Sequence, residues 1–180
     1  GSSPLMTVGA TNKASVTNAS INWVFISRPF RNNGNWKCCT IFSLFNAICQ
    51  IIGKIKPATV YIGSSAGSGS GGIFSIDGYV LTNAHVVKDS TNVSVSLSTG
   101  EKLFGAVIGR DETADLAVIK ISSIEKLPNV DFGDSNKTEQ GDEVFTFGFP
   151  FGIEGDVSFK EGTISRRIEG YFETSAEIHP

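Results

Sequence analysis

The chain has 180 residues, a hydrophobic fraction of 40% and a formal net charge of −3 at pH 7. This length fits one domain, or one domain and part of a second, and the charged fraction of 18% is too low for a chain that charge keeps unfolded. The acidic balance provides no basic surface, so we expect no nucleic-acid partner. The 20 glycines, together with short Val and Ile runs, favour strands and turns over helices.

Cysteine and histidine are poorly placed for a metal site. Cys38, Cys39 and Cys49 lie close together in one segment, and the chain has two histidines in total. No Cys-x-x-Cys or His-x-x-x-His spacing is present. We therefore expect no zinc site and no cofactor, and the odd number of cysteines argues against a disulfide framework.

The first 37 residues are predicted to be a disordered or irregular leader. Residues 1–20 are mostly small and polar and show no periodicity, which is typical of disordered termini. Residues 21–37 contain a short apolar patch and then a stretch rich in Arg, Asn and Gly, which we interpret as a loop. We assign no function to this leader, residues 1–37.

Residues 38–56 are predicted to form an amphipathic helix, which Pro57 ends because proline has no amide proton. The apolar residues with helical spacing are Ile41, Leu44, Phe45, Ile48, Ile51, Ile52 and Ile55. A membrane span is the alternative, but Asn46 and Gln50 interrupt the apolar run, which is shorter than the roughly 20 residues that a bilayer requires. We therefore expect a helix that packs on the domain, and no transmembrane span.

After Pro57 the pattern becomes that of short β-strands separated by turns. Six strands are predicted, at Thr59–Ile62, Gly72–Ile76, Tyr79–Thr82, Asn92–Leu97, Lys102–Ile108 and Leu116–Ile121. The dipeptide Asp77-Gly78 suits a type I′ hairpin turn between the second and third of them. Strands of this length and spacing are typical of a small antiparallel barrel, which we assign to residues 57–127.

Residues 128–180 contain a second group of predicted strands, at Glu143–Phe149, at Val157–Ser165 and beginning near Tyr171. Three strands cannot close a barrel of the size of the first one. The predicted fold class is therefore all-β, with a complete first barrel, a partial second barrel and a short N-terminal helix.

His85 and Asp115 are the candidate catalytic residues. His85 ends the segment Leu81-Thr-Asn-Ala-His85 and opens a predicted turn, where an imidazole can face a cleft. Asp115 lies at the start of the apolar strand Asp115-Leu-Ala-Val-Ile-Lys120, an unusual place for a charge that has no partner.

These segments resemble the catalytic His and Asp regions of the HtrA (Deg) family of trypsin-like serine proteases. The resemblance extends over about residues 41–180. Its further motifs, in the family's order, are the Gly-Ser-rich strand before His85, Val130-Asp-Phe-Gly-Asp-Ser135, Gly141-Asp-Glu-Val, Gly148-Phe-Pro-Phe-Gly152 and Gly162-Thr-Ile-Ser165. The resemblance implies two packed six-stranded barrels of the trypsin-like fold, with the active site between them.

The resemblance also implies the roles of the two residues. His85 would be the general base that activates a serine hydroxyl and then the acid that protonates the leaving amine, while Asp115 would fix its tautomer. The nucleophilic serine itself is expected to be missing from the chain. Ser68 and Ser70 are flanked by glycines, but they precede His85 and match the family's first barrel strand, so we do not expect either to be the nucleophile.

Two positions near residue 180 depart from the family pattern. His179 stands where the family usually has asparagine, so we interpret it as a structural position and not as a second base. Ser175 stands where the family usually has aspartate, which makes substrate contacts there less well defined.

We therefore expect a serine endopeptidase of the HtrA type that acts on unfolded polypeptides and is inactive as this isolated fragment. The alternative is a truncated or pseudo-protease that binds partners without catalysis or is complemented by another chain. By analogy, the family implies a homotrimer and an extracytoplasmic, periplasmic or organellar location, which nothing in the sequence itself assigns.

Overall fold

The computed structural model describes residues 7–9, 23–27, 41–123, 125–150, 153–168 and 171–176. Its elements in chain order are β1 (Thr7–Gly9), β2 (Trp23–Ser27), α1 (Ile41–Ala58), β3 (Thr59–Ser64), β4 (Gly67–Ile73), β5 (Tyr79–Thr82), α2 (Ala84–Val87), β6 (Asn92–Ser96), β7 (Lys102–Asp111), β8 (Leu116–Ile121), a 3-10 turn (Ser135–Lys137), β9 (Glu143–Gly148), β10 (Ser158–Ile168) and β11 (Tyr171–Thr174). Cys38, Cys39 and His179 lie outside the described residues, as does most of the predicted leader.

The strands β3 to β8 form a closed antiparallel barrel in the order β3-β4-β5-β8-β7-β6. Closure comes from β3, which pairs with β4 on one side and with β6 on the other. Buried and less buried residues alternate along β6 and β8, as expected for strands with one face in a core. The barrel interior is filled mainly by branched aliphatic side chains: Val60, Ile62, Ile73, Val80, Val93, Val95, Ile119 and Ile121. The predicted complete first barrel is confirmed.

The hairpin between β4 and β5 differs from the predicted type I′ turn. Gly78 has a φ of 88°, but Asp77 does not have the positive φ that this turn requires at both central residues. The chain instead forms a wider loop, in which the Gly78 amide donates to the Ser75 carbonyl at 3.0 Å. Gly78 is anchored from outside the hairpin, because its carbonyl accepts a hydrogen bond from the Ile121 amide at 2.9 Å.

A second, open sheet has five strands in the order β1-β2-β9-β10-β11. Its last three strands are those predicted after Pro128, and they confirm a partial second unit. The strands β1 and β2 fall within the predicted leader, where β2 pairs antiparallel with β9 from Trp23 opposite Phe147 to Ser27 opposite Glu143. These two segments are therefore regular strands, whereas the division of the chain into four units stays a prediction.

The helix α1 packs on the second sheet. Its residues Ile51, Ile55 and Ala58 share a buried cluster with Phe145 and Phe147 of β9. The predicted helix is confirmed, although it continues one residue past Pro57, which lies in its last turn. No helix in the described part of the chain is both long and apolar enough to cross a membrane.

Ser70 of β4 joins the barrel to the end of β9. Its side chain is fully buried, and its hydroxyl oxygen accepts a hydrogen bond from the Phe149 amide at 2.8 Å. The rings of Phe149 and of Tyr61 in β3 pack in a T-shaped arrangement, with centroids 5.6 Å apart. These contacts give Ser70 a structural role between the two sheets.

Glu154 forms a second connection between the sheets. Its carboxylate accepts hydrogen bonds from Lys102 Nζ at 2.9 Å and from Ser96 Oγ at 2.8 Å. The hydrogen bond from Lys102, followed by that from Ser96, holds the pKa of Glu154 below its usual range.

We expect Ser70→Ala to destabilise the fold by about 1–3 kcal/mol, because the buried Phe149 amide loses its acceptor. Urea unfolding measures this loss. The matched control is Ser94→Ala, which removes the hydroxyl of an exposed strand serine and should leave the free energy of unfolding nearly unchanged. Equal effects of the two substitutions would contradict the proposed connection.

Replacing Glu154 with Gln removes a carboxylate whose pKa is lower in the folded chain than in the unfolded chain. Such a group stabilises the fold above its unfolded-state pKa, and the contribution is lost as the pH falls through its folded-state pKa. We therefore expect the urea unfolding midpoints of the wild type and Glu154→Gln to differ slightly at pH 7 and to converge in acid, as the pH falls below the lowered pKa of Glu154. Glu112→Gln, at an exposed position, is the control. If the midpoints of the wild type and Glu154→Gln still differ in acid, the lowered pKa of Glu154 is contradicted.

Candidate active site

His85 lies in α2, a single helical turn where the sequence predicted a turn. The neighbouring side chains of Val86 and Val87 are buried and hold α2 against the barrel. Ser64 of β3 donates a hydrogen bond from its hydroxyl to the Val86 carbonyl at 2.6 Å. The side chain of His85 remains 42% exposed, so its ring is accessible from solvent while its backbone is fixed.

The close packing of α2 on β4 requires glycine at position 69. A Cβ atom at Gly69 would lie 2.6 Å from Cγ2 and 3.1 Å from Cγ1 of Val86. Valine has few rotamers with which to move away. The Gly-Ser-rich run therefore serves as a barrel strand that lets the turn with the histidine approach closely.

Asp115 lies opposite α2 because of the strand order. The strands β5 and β8 pair antiparallel with Thr82 opposite Ala117, so the end of β5 and the start of β8 lie at the same edge. Asp115 directly precedes β8 and has a φ of 53°, in the left-handed region that residues with a Cβ rarely adopt. This conformation turns the carboxylate away from the barrel strand and towards His85.

The two predicted site residues meet through two hydrogen bonds. The backbone amide of His85 donates to Oδ1 of Asp115 at 3.0 Å, and Nδ1 of His85 lies 2.8 Å from Oδ2. Because a carboxylate can only accept, this contact places the proton of a neutral imidazole on Nδ1. The unprotonated Nε2 is then free to accept a proton from another group.

Asn83 is a site residue that was not predicted from the sequence. Its Nδ2 donates to the backbone carbonyl of Asp115 at 2.9 Å and to Oδ2 of Asp115 at 3.0 Å. Asn83 is only 4% exposed although it is polar and ends an apolar strand. This position two residues before His85 is the sequence signal that could have identified it.

The remaining candidates lie apart from this pair or are not described. Ser175 accepts a hydrogen bond from the Thr163 amide at 2.9 Å, a contact within the second sheet. Ser68 is half-buried in β4. Across the described residues, no group of three or more His, Cys, Asp or Glu side chains could hold a metal ion.

A comparison with protein-family models finds a family that covers more than half of the chain. The model described as a trypsin-like peptidase domain matches residues 69–180, a range that includes Asn83, His85 and Asp115.

Curated proteins and solved structures give further similarities. The chain is 40% identical over 121 residues to a protein named "Probable periplasmic serine endoprotease DegP-like" from Chlamydia trachomatis, over 62% of this chain and 24% of the relative. A protein of the same name from Bartonella henselae is 44% identical over 99 residues, 55% of this chain and 19% of the relative. The chain thus spans about a quarter or less of these relatives. The crystal structure of the serine endoprotease from Yersinia pestis superposes with a TM-score of 0.65 at 31% identity, covering 73% of this chain and 49% of that one.

We expect Gly69→Ala to destabilise the chain by about 1–3 kcal/mol, because the added methyl group overlaps Val86 and forces α2 away from β4. The measurements are urea unfolding and the imidazole NMR signals of His85, which should shift as α2 moves. Gly109→Ala in β7 is the matched control, since a Cβ there meets no atom within 4 Å. An unchanged stability of Gly69→Ala would contradict the packing requirement.

Proposed function

We propose that this chain, which belongs to the trypsin-like peptidase domain family, carries the general-base half of a serine endopeptidase active site. The observation that supports this most directly is the 2.8 Å contact between Nδ1 of His85 and Oδ2 of Asp115. The resemblance to HtrA (Deg) proteases is confirmed by the DegP-like relatives.

In the proposed reaction, Nε2 of His85 removes the proton from a serine hydroxyl as the serine oxygen bonds to the carbonyl carbon of a peptide. The imidazolium then gives that proton to the amine as the carbon–nitrogen bond breaks, and water hydrolyses the acyl-enzyme by the same steps. Asp115 keeps the ring oriented and stabilises its positive charge. Positioned proton transfer of this kind contributes roughly 10²–10⁴-fold to the rate.

The nucleophile of this mechanism needs a separate source. No Gly-x-Ser-Gly-Gly sequence follows Asp115 in the 180 residues. Ser70, which has glycine on both sides, is buried and already bonded to the Phe149 amide. We therefore place the serine in polypeptide outside these residues.

We propose the substrate class and the location by analogy with the relatives. A trypsin-like peptidase acts on polypeptides, and we propose unfolded polypeptides as the substrates here. Because the DegP-like relatives are named periplasmic, we propose an extracytoplasmic location. A homotrimer, by analogy with the HtrA family, is proposed for the complete protein.

A non-catalytic binding function is the second candidate. The observation that favours it is the open second sheet, in which β11 is an edge strand among the described residues. Edge strands present unpaired backbone groups that can pair with a strand of another chain.

Hydrolysis of casein by the complete gene product tests the proposed function. We expect Asp115→Asn to lower kcat by about 10⁴-fold, because an amide neither holds the proton on Nδ1 nor stabilises the imidazolium. Asp131→Asn, which changes an exposed carboxylate in the same way, is the control and should retain full activity.

A fluorophosphonate probe, which labels activated serines, separates the two candidate functions. We expect the complete gene product to be labelled and the 180-residue chain to remain unlabelled. Labelling of the 180-residue chain would show that the nucleophile has been misplaced. A complete gene product that neither reacts with the probe nor cleaves casein would favour the binding function.

A further inference from the structure

The amide of Asn83 holds two parts of Asp115 at once. One Nδ2 hydrogen is directed to the backbone carbonyl, at 2.9 Å, and the other to Oδ2, at 3.0 Å. The reverse orientation of the amide would place Oδ1 against both oxygens, and three acceptors cannot bond to one another. The chemistry of the contact therefore fixes the amide as observed.

This orientation leaves the amide oxygen of Asn83 unpaired within the described residues. Within the part of the chain that the structure describes, Oδ1 of Asn83 is buried without a hydrogen-bond partner. Burying an unpaired acceptor opposes folding. An apolar side chain of the same shape would avoid that penalty. We therefore attribute the advantage of asparagine at position 83 to the two hydrogen bonds that Nδ2 donates to Asp115.

The conformation of Asp115 explains that benefit. A residue with a Cβ at a φ of 53° is in a sparsely populated region and needs surrounding contacts to stay there. The bridge from Nδ2 fixes the carbonyl and the carboxylate of Asp115 relative to each other. It thereby keeps Oδ2 in the position where Nδ1 of His85 meets it.

We propose that Asn83 is a positioning residue that keeps Asp115 directed at His85 and so maintains the imidazole tautomer with its proton on Nδ1. The proposal rests on the general-base role given to His85 above. Asn83 does not itself touch the reacting atoms. It acts through Asp115, whose side chain is otherwise partly open to water.

The test uses Asn83→Leu, which preserves the branched shape and removes both the two donors and the buried acceptor. We expect the variant to fold with a lower thermal midpoint than the wild type, because the carbonyl and the carboxylate of Asp115 each lose a hydrogen bond. The ¹⁵N chemical shifts of the His85 ring in the neutral form should change, with a growing fraction of the tautomer protonated on Nε2. His179→Gln in both backgrounds assigns the signals, since the chain has two histidines.

The controls separate positioning from packing. Asn92→Leu, at an exposed position in β6, should leave the His85 signals unchanged. If Asn83→Leu does not fold, Asn83→Ser and Asn83→Ala replace it. The serine hydroxyl can donate one hydrogen bond. We therefore expect Asn83→Ser to retain more of the Nδ1-protonated tautomer than Asn83→Ala does. Wild-type ¹⁵N shifts in Asn83→Leu, or in both smaller variants, would overturn the proposal.

Kinetics of the complete gene product provide a second readout. We expect Asn83→Leu to lower kcat by up to about 10²-fold with little change in KM, because the base is misplaced while the substrate site is untouched. The NMR result does not depend on peptidase activity. A tautomer shift in a protein that cleaves nothing would therefore support the positioning role and contradict the proposed function, and the two failures remain distinguishable.

Discussion

The site depends on one carboxylate that binds the same histidine twice. Asp115 accepts a hydrogen bond from the backbone amide of His85 with one oxygen and lies against Nδ1 with the other. The first bond places the backbone of α2 and the second sets the ring. Because both bonds reach the same carboxylate, a change in the conformation of Asp115 would alter the position and the tautomer of His85 together. Three features of the barrel support this contact: the left-handed backbone of Asp115, the buried amide of Asn83 and the glycine at position 69.

Each of these three features is unfavourable when it is considered without its surroundings. A left-handed backbone at Asp115 is unfavourable for a residue with a Cβ, and an unpaired acceptor on Asn83 is unfavourable in a buried site. Glycine at position 69 weakens a strand but permits the approach of Val86. Functional sites are where folded proteins accept such departures, and the closed barrel around them provides the compensating core.

The sequence was sufficient to predict those features that depend on a local pattern of residues. Alternating apolar residues identified the barrel strands, and the ordered motifs pointed to His85 and Asp115, which the structure brings into contact. The turn at Gly78 was predicted wrongly because its conformation is set by Ile121, far along the chain. The strand β2 was not predicted because its pairing partner β9 is more than a hundred residues away and its own apolar run is short. Asn83 was missed for a related reason, since its partner is Asp115 and no short motif contains both.

The pair formed by His85 and Asp115 is assembled within one barrel. Asn83 bonds to Asp115, while Ser64 and Gly69 contact Val86, the residue after His85. All three lie in or next to strands of that barrel. The second sheet meets the barrel elsewhere, through Ser70 with Phe149 and through Glu154. The contact that orients the imidazole is therefore made within the barrel. In the proposed mechanism, the remaining requirement is that a serine hydroxyl comes within hydrogen-bond reach of Nε2.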